Sequence, residues 1–122
     1  MAKIWLVEDD QNLANLTKIA LVKSGHEVVV FHEAAPVVEQ AANQAPDLIL
    51  MDVMLPDLNG PQLVKILKKN AHLTDTPVIF LTALLSTEES ELGLTVDKIN
   101  YRTLGKPYKV DRLLELVKSV LS

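Results

Sequence analysis

The sequence predicts an α/β fold: a doubly wound, five-stranded parallel sheet with helices on both faces. Three observations lead there. Five short apolar, β-rich runs alternate with stretches of helical period, the pattern of a parallel sheet built from strand–helix units. The runs are nearly continuous rather than alternating apolar and polar, as expected of strands covered on both faces. The chain has 122 residues, 48% hydrophobic and 23% charged, which suits one compact domain over residues 1–122.

The strands are expected at Lys3–Val7 (KIWLV), Glu27–Phe31 (EVVVF), Asp47–Met51 (DLILM), Pro77–Leu81 (PVIFL) and the less apolar Ile99–Leu104 (INYRTL). Between the first two, Leu13, Leu16, Ala20 and Leu21 fall at helical spacing, Lys18 and Lys23 lie off that stripe, and Gly25 stands where a helix ends. A second helix is expected over Ala34–Ala45, with Pro36 tolerated in its first turn. Gly60-Pro61 opens a third, with Leu63, Ile66 and Leu67 in period. A fourth is expected over Ser86–Leu94, acidic at its start but followed by the poor helix formers Thr95 and Val96. Asp111–Leu121 supplies the fifth through Leu113, Leu114, Val117 and Leu121.

Composition removes several function classes. With no cysteine there is no disulfide, zinc–thiolate site, iron–sulfur cluster or thiol nucleophile, so any metal must use oxygen or imidazole ligands. No apolar run approaches the roughly 20 residues of a membrane span, and the opening MAKIWLVEDD meets acid too early for a secretory signal. A soluble cytoplasmic protein with no membrane partner is expected. A net charge of −4, with lysines scattered among acids, argues against direct nucleic-acid binding.

In a parallel α/β sheet, ligands bind beyond the carboxyl ends of the strands. There the first strand ends in Glu8, Asp9 and Asp10, the third in Asp52, the fourth in Thr82 and the fifth in Lys106. Singly, each has a bland role: Asp9 or Asp10 could cap the next helix, Asp52 could form a turn, and Lys106 could be merely solvated. Together they put carboxylates, a hydroxyl and a cation in one crevice. Clustered carboxylates repel unless a cation or proton intervenes, and a hard divalent ion such as Mg²⁺ suits oxygen ligands and phosphoryl groups.

These residues stand in LVEDD, LMDVMLPDLNG, LTA and GKP, in that order along the chain. In this set the chain resembles the response-regulator receiver domain, the CheY-like module of two-component signalling. The resemblance implies strand order 2-1-3-4-5 and a phosphorylation-controlled role. It makes Asp52 the phosphoacceptor, and makes Glu8, Asp9, Asp52 and the Met54 backbone carbonyl the Mg²⁺ site, with Glu8 acting through water. Thr82 and Lys106 would engage phosphoryl oxygens. The implied donor is a phosphohistidine of a sensor kinase or histidine phosphotransfer protein. Output would pass through the surface of the fourth helix, fifth strand and fifth helix to a protein partner or a fused output domain. Asp10 receives no catalytic role. A carboxylate nucleophile aided by metal, lysine and hydroxyl is consistent chemistry for in-line phosphoryl transfer.

Other readings fit less well. A flavodoxin-like nucleotide binder needs a glycine- or hydroxyl-rich first loop, but here that loop is acidic. A haloacid-dehalogenase-type phosphatase needs a second aspartate where Met54 stands, so the chain is expected to be a signalling receiver rather than an enzyme. A degenerate, binding-only receiver is disfavoured because every catalytic position is filled. The resemblance also implies a cis Lys106–Pro107 bond. Met54 and Leu84 should border the line of attack of water and, being apolar, lengthen the life of the phosphoprotein. Receivers usually carry Tyr or Phe three residues before the lysine. This chain has Thr103 there and Tyr101 two residues earlier, so Thr82, Thr103 and Tyr101 are the candidate switch residues, with Thr103 relaying the movement of Thr82.

Overall fold

The computed structural model describes residues 2–83 and 93–122. In chain order the elements are β1 (Lys3–Val7), α1 (Gln11–Lys23), β2 (Glu27–Phe31), α2 (Ala34–Ala41), β3 (Leu48–Asp52), α3 (Gly60–Leu67), a 3₁₀ turn (Ala71–Leu73), β4 (Val78–Thr82), β5 (Leu94–Val96), β6 (Ile99–Gly105) and α4 (Val110–Leu121). The sheet order is β2-β1-β3-β4-β6-β5. The predicted fifth strand is thus β6, and the five predicted strands lie parallel in the expected order.

The sheet gains a sixth strand that the sequence reading did not foresee. β5 pairs antiparallel with β6, Leu94 opposite Tyr101 and Val96 opposite Ile99. The two residues between them, Asp97 and Lys98, have φ of 50° and 69°, the left-handed pair that a tight hairpin requires. No Asn-Gly or Asp-Gly announces this turn. The expected fourth helix is corrected at its end, where Leu94 is a strand residue; residues 86–92 of that expectation lie outside the described residues.

Each face of the sheet is closed by its own cluster. On one, Trp5, Val7, Ile49, Met51 and Phe80 meet Val37 and Ala41 of α2 and Leu63, Val64 and Leu67 of α3. On the other, Ile4, Leu6, Leu48, Leu50, Ile79 and Leu81 meet Ala14 and Leu21 of α1 and Leu113 and Val117 of α4. This two-sided burial explains the unbroken apolar runs. Trp5 packs edge-on to Phe31 at 5.5 Å, and Phe80 edge-on to Tyr101 at 5.6 Å.

Two helices differ in detail from expectation. α1 turns Ala14, Thr17 and Leu21 inward and leaves Leu16 63% exposed, beside exposed Ile19 and Val22. α2 ends at Ala41 rather than Ala45; Pro46 accounts only for the exclusion of Ala45, since it disfavours helical geometry in the residue before it. Among the described residues no helix is long and apolar enough to cross a membrane.

Candidate functional site

The site forms where β1, β3, β4 and β6 end together. Val7 pairs with Met51, Asp52 with Leu81, and Thr82 with Gly105. This register brings Glu8, Asp52, Thr82 and Lys106 to one edge, although they are spread over most of the chain. The Lys106 N–H donates to the Thr82 carbonyl at 2.8 Å, fastening the lysine's turn to the end of β4. The Lys106–Pro107 bond is cis, as expected. Gly60 permits the close approach of α3, since a Cβ there would run into the Asp52 carbonyl oxygen.

The ammonium of Lys106 joins two carboxylates. Its Nζ donates to Asp52 Oδ2 at 2.9 Å and makes a short ion pair with Glu8 Oε1. Glu8 and Asp52 are buried while Asp9 is exposed, and one oxygen from each of the three lies within 4.8 Å of the others. Glu8 Oε2 accepts from the Asp10 N–H, and Asp52 Oδ1 accepts from the Met54 N–H, both at 3.2 Å. Burial, abetted by contact with Asp52 and opposed by Lys106, lifts the Glu8 pKa to about 7. Burial works against the charge on Lys106, but Glu8 and Asp52 outweigh it and raise the lysine above its ordinary value. Three carboxylates against one ammonium, all offering hard oxygen donors, suit a divalent cation.

Asp10 is the N-cap of α1, its Oδ1 accepting from the Leu13 N–H at 3.1 Å. Thr82 and Thr103 are buried on the same face of the sheet, Thr82 opposite Gly105 and Thr103 opposite Phe80. Tyr101 shares that face, is buried to the same extent as Thr103, and is held against Phe80. Met54 is 59% exposed. Leu84 lies outside the described residues.

Three contacts next to the site were not legible as functional in the sequence. The Tyr108 hydroxyl pairs with Thr17 on α1 at 2.7 Å. His32 Nδ1 approaches the Glu8 carbonyl at 2.9 Å. Asp57 bonds the first N–H groups of α2, although in LPDLNG it reads as an ordinary turn former.

A family model described as "Response regulator receiver domain" matches residues 4–118. The chain is 33% identical over 121 residues to response regulator ArlR of Staphylococcus saprophyticus, covering 99% of this chain and 53% of that protein. It is 35% identical over 118 residues to the transcriptional regulatory protein CreB of Escherichia coli, covering 97% of this chain and 50% of CreB. The chain thus spans about half the length of these curated relatives. Chemotaxis response regulator CheY4 of Vibrio cholerae superposes with a TM-score of 0.85 at 25% identity, covering 99% of both chains.

Proposed function

The chain belongs to the response-regulator receiver family of two-component signalling, and from that premise we propose that Asp52 accepts a phosphoryl group from a phosphohistidine of a sensor kinase or phosphotransfer protein. The observation that carries this reading is the convergence of Asp52, Glu8 and Lys106, one ammonium held between two buried carboxylates. One Asp52 oxygen attacks phosphorus as the bond to the donor nitrogen breaks. Lys106 Nζ and the Thr82 hydroxyl then hold oxygens of the transferred group. Glu8, Asp9, Asp52 and the Met54 carbonyl would hold Mg²⁺, Glu8 through water. When bound, the ion neutralises negative charge on the phosphoryl oxygens.

In this reading residues 1–122 are one receiver domain, a cytoplasmic signalling module rather than an enzyme that turns over free substrates. It binds neither nucleic acid nor membrane directly. Movement of Thr82 passes through Thr103 to the surface of β6 and α4, the expected fifth strand and fifth helix, together with the segment of the expected fourth helix, where a protein partner or a fused output domain reads it. Tyr101, packed on Phe80, acts as a core residue. Met54, apolar at the mouth of the site, leaves water unoriented, and Leu84 is assigned the same role, so the phosphorylated form is long-lived.

The experiment is to add beryllofluoride or acetyl phosphate with Mg²⁺ to the full chain and follow amide shifts or the phosphorylated mass. Both should change the parent protein, and Asp52→Asn should abolish the change. An Asp52→Asn variant that responds like the parent would refute the assignment.

A further inference from the structure

Both flanks of the acidic site are tied to one corner of the chain, Phe31–Ala35. On the first flank the backbone of Glu8 is held through both its polar groups. Its N–H donates to the Phe31 carbonyl at 2.9 Å, and its carbonyl accepts from His32 Nδ1 at 2.9 Å. On the second flank Asp57, in the loop between β3 and α3, accepts from the N–H groups of Ala34 at 2.8 Å and Ala35 at 3.0 Å, one to each carboxylate oxygen.

The second tie is unusual for a helix start. α2 has Glu33 at its N-cap position, and that side chain makes no capping bond. The exposed N–H groups of a first turn are normally met by a local Ser, Thr, Asp or Asn. Here they are met by a carboxylate 23 and 22 residues away. The Ala34 N–H in particular holds the Asp57 carboxyl below its ordinary pKa.

What Asp57 gains in this position is a grip on its own loop. The base of that loop is closed by a bridge between Met54 and Asn59, by Gly60 N–H to the Val53 carbonyl at 2.7 Å, and by the Asn59–Gln62 capping box of α3. Asp57 pins the part of the loop farthest from this base. The loop carries Met54 and follows Asp52, and the corner that Asp57 grips is the one that grips Glu8.

We propose that Asp57 is a positioning residue: through the Phe31–Ala35 corner it sets the separation between Glu8–Asp9 and Asp52–Met54, and so tunes divalent-cation affinity without being a ligand. This rests on the metal reading above. A cap that served α2 alone would be replaceable by any local cap, and that difference can be measured.

The test compares the parent chain, Asp57→Ala and the double variant Glu33→Ser/Asp57→Ala, in which serine caps α2 locally. Mg²⁺ is titrated by calorimetry, and thermal denaturation and amide exchange are followed in metal-free protein. Asp57→Ala should weaken Mg²⁺ binding severalfold, less than the roughly tenfold or more that follows loss of a direct hydrogen-bond partner of a ligand, and lower Tm. The double variant should regain Tm while Mg²⁺ binding stays weak and amides between Met54 and Leu58 still exchange faster than in the parent. Parental Mg²⁺ affinity in the double variant, or a change under twofold in Asp57→Ala, overturns the proposal. If the parent itself binds no Mg²⁺, the metal reading fails first, and the exchange arm decides the brace: parental exchange in the double variant overturns it, and faster exchange supports it.

Discussion

The hydroxyls of Thr17 and Tyr108 lie 2.7 Å apart and join α1 to the turn that follows Lys106. Thr17 is almost wholly buried, so the pair satisfies two groups that water does not reach freely. Removing one hydroxyl leaves the other stranded, whereas removing both leaves an apolar contact. Tyr108→Phe should therefore cost about 1–2 kcal/mol, and Thr17→Val a similar amount. The double variant should be less destabilised than the two losses combined. Chemical denaturation of the four proteins of this cycle checks it, and simple additivity would show that the hydroxyls do not depend on one another.

Asp9 and Asp10 are adjacent acids with different duties, and their variants should separate. Asp10 caps α1 through Leu13, so Asp10→Ala should lose about 1 kcal/mol of stability while retaining most of its Mg²⁺ affinity. Asp9→Asn should do the reverse, since Asp9 is exposed at the edge of the acidic cluster. A Mg²⁺ titration and a thermal melt on each protein suffice. Equal loss of Mg²⁺ affinity would remove Asp9 from the proposed ligand set.

Stability in the absence of metal should depend on pH through Glu8. Burial, with Asp52 adding to it and Lys106 opposing, raises its carboxyl from 4.5 to about 7. A raised carboxyl binds its proton more tightly in the folded state. Its contribution to stability is full below about 4.5 and is lost as pH rises through about 7. Across that window the parent should lose on the order of 2 kcal/mol relative to Glu8→Gln, which has no proton to release. Urea denaturation at intervals from pH 5 to pH 8 measures the difference, and parallel curves would contradict the assignment.

The switch proposal places Thr103 and Tyr101 in opposite roles. Tyr101 is packed on Phe80 and raised above its ordinary pKa, chiefly by burial. Tyr101→Ala should lower stability by about 3 kcal/mol or more, as loss of a buried aromatic does, yet preserve the response to beryllofluoride at temperatures where the variant is folded. Thr103→Val should fold normally and blunt amide-exchange changes in β6 and α4. The reverse outcome, a full response in Thr103→Val and none in Tyr101→Ala, would make the ring the switch.

Much of this protein was legible along the chain because its main signals are local. KIWLV, DLILM and PVIFL declare strands buried on both faces, EVVVF and INYRTL declare further strands, and a parallel sheet must then bring the residues after them to one edge. Glu8, Asp52, Thr82 and Lys106 could therefore be gathered from sequence alone. What the sequence could not decide were relations through space. Helical spacing marks apolar positions but not the rotation of a helix on its sheet, and packing turned Ala14, Thr17 and Leu21 inward, leaving Leu16 outside. The β5–β6 turn uses Asp97 and Lys98 at positive φ, without the glycine that would have announced it. The raised Glu8 pKa and the Asp57 clamp likewise exist only once the chain is folded. One comes from removing a carboxylate from water beside another, and the other from a carboxylate meeting N–H groups 22 and 23 residues away. Burial and long-range hydrogen bonding depend on which surfaces meet, and residue order does not encode that locally.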